Sequence, residues 1–125
     1  MKTLTIALAL AVALAAAPAM AQPAAADAPV YVFLYRAGPA WKAGKPMAEQ
    51  ALAPHAAYIK KLLDEGRLFA GGATGPDTGM AIVRAASLDE ARGILAADPA
   101  ISSGVFEADL RPWAPRFDSR KPLHP

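Results

Sequence analysis

The chain contains no cysteine. Disulfides, thiol nucleophiles and thiolate metal centres are therefore excluded, so a small domain must draw its stability from packing or self-association. Histidine is nearly as scarce: His55 and His124 are the only two, and His124 lies one residue from the end. A multi-histidine metal site within one subunit is excluded with them. Charge of one sign is missing too, with 13 Lys and Arg against 11 Asp and Glu. No stretch interleaves basic residues with aromatics as a nucleic-acid surface does. The basic residues that do gather, Arg116, Arg120 and Lys121, sit in a tail that reads as solvated. There is no phosphate loop. Gly71, Gly72 and Gly75 follow a strand but open a turn rather than a helix, which does not fit a dinucleotide fingerprint. No apolar run reaches the roughly 20 residues that span a bilayer.

What is present begins with a tripartite N-terminus. Lys2 supplies a positive charge, Ile6 to Ala17 is an unbroken apolar run of 12 residues, and Ala19-Met20-Ala21 is a small-x-small cleavage pattern. Residues 1–21 are expected to be a cleaved secretory signal, leaving a periplasmic or secreted protein that starts at Gln22 and has no membrane attachment. A lipid-anchored form needs a cysteine. Removing 21 of 125 residues leaves 104, and losing Lys2 lowers the net charge from +2 to +1. That length suits one domain with a modest core. Residues 22–29 read as a flexible Ala/Pro leader, 30–113 as the domain, and 114–125 as a proline-rich tail.

The domain alternates in type. Val30 to Arg36 is rich in β-branched and aromatic residues and predicts a strand. Gly38 to Pro46 holds breakers around Trp41 and predicts a loop. A helix follows, with Pro54 in its first turn, an apolar stripe of Leu52, Ile59, Leu62 and Leu63, and Gly66 as its stop. Leu68 to Ala73 and Met80 to Arg84 predict a hairpin around Thr74 to Gly79. Ser87-Leu88-Asp89-Glu90 is a capping box opening a second helix, which carries Leu88, Ala91, Ile94 and Leu95 and ends before Pro99. Val105 to Arg111 predicts the last strand.

The order β-α-β-β-α-β predicts a ferredoxin-like α+β fold, with two helices on one face of an antiparallel sheet. The first strand alternates between Tyr31, Phe33 and Tyr35 on one side and Val32 and Leu34 on the other. The aromatic set is expected on the uncovered face, beside Val105, Glu107, Asp109 and Arg111 of the last strand. Phe106, Ala108 and Leu110 are expected to meet the helices. An uncovered aromatic face is too apolar for a monomer. It predicts a homodimer or higher oligomer whose sheets pack face to face around a cavity.

Two residues have chemical interest. His55 lies between Leu52 and Ile59 in the first turn of a helix, where the dipole opposes protonation. A neutral imidazole there can act as a general base or electrophile. The same position also suits a core-edge histidine satisfied by a backbone carbonyl. Asp98 ends a helix, where the dipole disfavours a carboxylate. It also suits the role of cap for a new turn starting at Pro99.

Taken together, Pro54-His55-Ala56-Ala57-Tyr58, Leu63-Asp64-Glu65-Gly66-Arg67-Leu68, Ala96-Ala97-Asp98-Pro99, Gly104-Val105-Phe106-Glu107 and Arg111-Pro112-Trp113 resemble the YciI-like (YCII-related) family. The likeness runs from about Val30 to Phe117. It implies a dimeric α+β barrel of ferredoxin-like subunits and a His–Asp site, here His55 and Asp98. Some members resemble muconolactone isomerases and dehydrochlorinases, which implies a small cyclic or aromatic acid as ligand. The export signal departs from the mostly cytoplasmic family. The leading expectation is a cofactor-independent enzyme in which His55 moves a proton and Asp98 orients it, for elimination, isomerisation or hydrolysis. Tyr35, Arg36, Trp41, Glu107 and Arg111 are expected to bind the substrate. The rivals are a binding module without turnover, a cofactorless monooxygenase of the same superfamily, and a haem protein ligated by His55.

Overall fold

The computed structural model describes residues 28–117. The signal at 1–21, most of the leader, and Arg120, Lys121 and His124 lie outside the described residues. Strand β1 spans Val30–Ala37, helix α1 Ala53–Asp64, β2 Leu68–Ala73, β3 Thr78–Arg84, α2 Leu88–Ala96, α3 Pro99–Ser102 and β4 Phe106–Trp113, with a 3-10 turn at Met47–Glu49. The four strands form one antiparallel sheet in the order β2-β3-β1-β4. This is the ferredoxin-like arrangement that the element order predicts.

Local chemistry sets the boundaries. Gly66 adopts a left-handed φ of 70° after α1. Its amide donates to the Leu63 carbonyl and that of Arg67 to the Leu62 carbonyl, the pair of bonds that closes a helix around a glycine. Ser87 caps α2 by accepting from the Glu90 amide at 3.1 Å. Glu90 reaches back one residue further than a capping box requires, to the Ala86 amide, while its other oxygen takes Arg67 at 2.6 Å. Proline at position 99 starts α3 rather than merely ending α2, with Asp98 as its cap. Gly38 is required by a close approach: a Cβ there would lie 2.4 Å from the Gly104 carbonyl oxygen. The Gly38 amide donates to Val105, tying the start of the 38–52 loop to the start of β4.

The faces of β1 are the reverse of the expected ones. Tyr31, Phe33 and Tyr35 are buried beneath the helices, at 7%, 1% and 5% exposure. Their cross-strand partners include Leu110 opposite Phe33 and Ala108 opposite Tyr35, so the apolar set of β4 does meet the helices as expected. The reason lies in area. An aromatic side chain buries about 150–250 Å², so at about 25 cal/mol per Å² the aromatic triplet gains more under the helices than Val32 and Leu34 would. The core is completed by Leu62, Leu68, Val83, Ala91 and Phe106.

The uncovered face instead carries Val32 and Leu34 from β1 beside Met80 and Ile82 from β3. Arg36 lies on the same face and pairs with Glu107 at 3.2 Å and Asp109 at 3.3 Å. Leu63, expected in the apolar stripe of α1, is 55% exposed.

Candidate active site

The site forms where α1, β1 and the α2–α3 junction meet. Pro54 fixes the first turn of α1 and places His55 on its inner side, with its side chain 17% exposed. Asp98 caps α3 from an extended backbone conformation, which turns its carboxylate inward and leaves the residue 0% exposed. His55 Nδ1 lies 2.8 Å from both Asp98 oxygens. A carboxylate only accepts, so Nδ1 carries a proton, and in the neutral ring Nε2 is the nitrogen with the lone pair.

Asp98 accepts two further bonds, from the Ala100 amide onto Oδ1 at 2.9 Å and from the Tyr35 hydroxyl onto Oδ2 at 3.0 Å. Helix cap and histidine partner are therefore one carboxylate, and the two sequence readings of Asp98 coexist. Burial, reinforced by the charge and hydrogen bond of Asp98, pushes the Tyr35 phenol far above its ordinary range. The phenol is thus a permanent donor. Tyr58 is raised as well, first by burial and then by Asp98. Its hydroxyl donates to the Ile94 carbonyl at 2.8 Å. The imidazole meets Tyr35 and Phe106 edge-on, with ring centroids at 5.4 and 5.6 Å. Those contacts restrict ring rotation and hold Nδ1 toward Asp98.

A cavity of about 470 Å³ opens beside this group. Leu52, His55, Ala56 and Ile59 of α1 line one side of it. Gly71 and Ala73 of β2, with Gly79 and Ala81 of β3, line the other. These four small residues are the cause of the cavity. Gly71 pairs with Ala81 and Ala73 with Gly79 on the helix-facing side of the sheet. Gly71 and Ala73 nevertheless stay exposed, since they border the cavity beneath α1. The lining is mainly apolar, and His55 and Lys60 are its ionisable groups besides the Tyr35 phenol.

The structure brings His55, Asp98 and Tyr35 together. It places the other expected substrate contacts elsewhere. Arg36, Glu107 and Arg111 lie on the uncovered face of the sheet, away from His55, because strand alternation puts them opposite Tyr35 and Phe106. Trp41 stacks on Phe106 at 5.4 Å, behind the histidine. Sequence reasoning missed Phe106 as a wall of the site, and also Gln50, which is 8% exposed. Gln50 accepts from the Lys42 amide at 2.8 Å and donates to the Lys42 and Lys45 carbonyls at 3.0 Å, clamping the loop that carries Trp41. A lone amide between Met47 and Leu52 was the available signal. Among the described residues no group of three His, Asp or Glu side chains is arranged to hold a metal ion, and no helix is long and apolar enough to cross a membrane.

Comparison with known proteins places the fold. The chain is similar to the 5-chloro-2-hydroxyhydroquinone dehydrochlorinase TftG from Burkholderia phenoliruptrix AC1100, solved in complex with 2,5-dihydroxybenzoquinone. The identity is 22% and the TM-score 0.52, over 67% of this chain and 93% of that one. No curated protein matches the chain. The model of the YCII-related domain matches residues 29–114, the whole of the sheet and its helices, and the chain belongs to the YCII-related family.

Proposed function

We propose that this protein is an exported, cofactor-independent enzyme that moves a proton on a small ring-shaped substrate, with His55 as base and Asp98 as its orienting partner. One observation carries the reading: His55 Nδ1 sits 2.8 Å from a fully buried carboxylate while the same ring lines a cavity of about 470 Å³. The Nε2 lone pair takes a proton from substrate, the imidazolium is stabilised by Asp98, and the proton is returned or leaves with the product. Return at another atom is isomerisation; departure of a leaving group from the neighbouring carbon is elimination. The gap between α1 and the Gly71–Ala81 region suits a flat ring, because backbone and methyl groups form one wall. The ligand named for the dehydrochlorinase, 2,5-dihydroxybenzoquinone, is such a ring. The apolar side chains that remain accessible on the uncovered face, Leu34 and the part-buried Val32 and Met80, support a homodimer formed through that face.

The dyad is tested by two single variants and the double. Binding is read with 2,5-dihydroxybenzoquinone, and turnover by halide release from chlorinated hydroxyhydroquinones. His55→Ala and Asp98→Ala are each expected to lower kcat by about 10²–10⁴-fold, the range for a positioned acid–base group. The double is expected to lose little more, because parts of one unit are non-additive. Ligand that binds without turnover in the wild type would assign a binding module instead. Export rests on the signal at 1–21. Intact mass of protein from the native host should match a chain starting at Gln22, and a mature chain retaining Met1 would refute it.

A further inference from the structure

Tyr35, expected as a substrate contact on the uncovered face, is instead buried, and its hydroxyl reaches across the sheet's covered face to a residue 63 positions away. We propose that Tyr35 is a positioning residue that shares the Asp98 carboxylate with His55, and so sets how firmly that carboxylate holds a proton on the imidazole. The catalytic meaning of this rests on the reading above; the sharing itself needs no substrate to be tested.

A carboxylate offers about four lone-pair sites on two oxygens. Ala100 occupies one on Oδ1 and Tyr35 one on Oδ2, while His55 Nδ1 lies equidistant from both oxygens at 2.8 Å. Two anchors from different elements, α3 and β1, thus fix the plane of the carboxylate and present its free edge to the ring. They also draw off negative charge. Every donor on the carboxylate reduces the charge left to stabilise an imidazolium, so the phenol opposes protonation of His55 while Asp98 favours it. The helix N-terminus acts in the same sense as the phenol. The two donors therefore limit how far Asp98 can favour the charged ring.

Little else competes. Of the groups on α1, Lys60 lines the cavity but holds Asp64 at 2.6 Å, and Tyr58 gives its hydroxyl to the Ile94 carbonyl. β4 presents Phe106, and the β2 and β3 walls present glycine, alanine, Leu68 and Met80, none of them titratable. Tyr35 and Asp98 are therefore the polar groups that face the ring among the described residues.

The test is an NMR pH titration of the His55 ring in the full chain, with His124 assigned through His124→Gln. Tyr35→Phe keeps the ring packing and removes only the donor. It is expected to raise the midpoint of the His55 titration above that of the wild type by about 0.5–1 pH unit. Asp98→Asn is expected to lower it. Difluorotyrosine at position 35 is a stronger donor and is expected to move the midpoint down, the opposite way to phenylalanine. It also serves should Tyr35→Phe fail to fold. A midpoint left where the wild type has it in either Tyr35 variant, or moved the wrong way, would overturn the proposal. Loss of thermal stability alone would leave Tyr35 a core residue and count against it. Failure of the proton-transfer reading shows separately, as absent turnover with the titration shifts intact.

Discussion

The two faces of β1 carry side chains of similar hydrophobic character and have opposite fates. Tyr31, Phe33 and Tyr35 lie at 7% exposure or less, whereas Leu34, between two of them, is 38% exposed. The difference does not come from the strand, whose alternation makes two sets and ranks neither. It comes from what the neighbours offer. The covered side supplies Leu62, Phe106 and Val83 for the aromatic rings and, for the one polar atom that Tyr35 brings, a buried carboxylate. The uncovered side supplies Arg36 with Glu107 and Asp109, which remain half exposed and solvated. A buried phenol needs a partner, and Asp98 provides it on one side only.

Two substitutions one residue apart break or sharpen this contrast. Phe33→Asp is expected to abolish folding. Truncating a buried phenylalanine alone costs about 3–5 kcal/mol, and an unpaired buried carboxylate adds to that. Circular dichroism should show no cooperative thermal transition, and a folded variant would contradict the burial of this face. Leu34→Asp should be milder. The subunit should keep its secondary structure and melt cooperatively, while light scattering falls from the mass of a dimer to that of a single chain. An oligomer that persists in Leu34→Asp would show that the uncovered face is not its interface. A wild type that is already monomeric would remove the interface altogether.

Much of this fold is legible in the residues themselves. Ser87 with Glu90, Pro54 before His55, Gly66 after Asp64 and Pro99 after Asp98 each have a local mechanism, and each lies where that mechanism predicts. Antiparallel order follows from the alternation of elements. What sequence could not rank was the direction of β1, because inward and outward sets differ by contacts made with residues 20–80 positions away. The same limit applies to the site. His55 and Asp98 each carry a local signal, a helix start and a helix end. Tyr35 reads locally as one of three equivalent aromatics, and only the pairing of β1 with β4 and the seating of α3 bring its hydroxyl to Asp98. The reversal of β1 took Arg36 to the uncovered face and Tyr35 away from it, while Glu107 and Arg111 of β4 lie on the uncovered face as expected and are parted from the site because Tyr35 and the cavity are on the other side. The cavity was hidden for another reason: it is made by what Gly71, Ala73, Gly79 and Ala81 lack, and small residues carry no signal of the space they leave.

The double duty of Asp98 has an evolutionary corollary. Its carboxylate begins α3 through the Ala100 amide whatever happens at His55, and losing such a cap costs about 1 kcal/mol of stability. Selection on folding alone therefore retains an aspartate or asparagine at this position in a lineage that has stopped turning over any substrate. An aspartate here in another member of the family testifies first to a helix start. Only aspartate together with histidine, with the phenol of β1 beside them, testifies to chemistry.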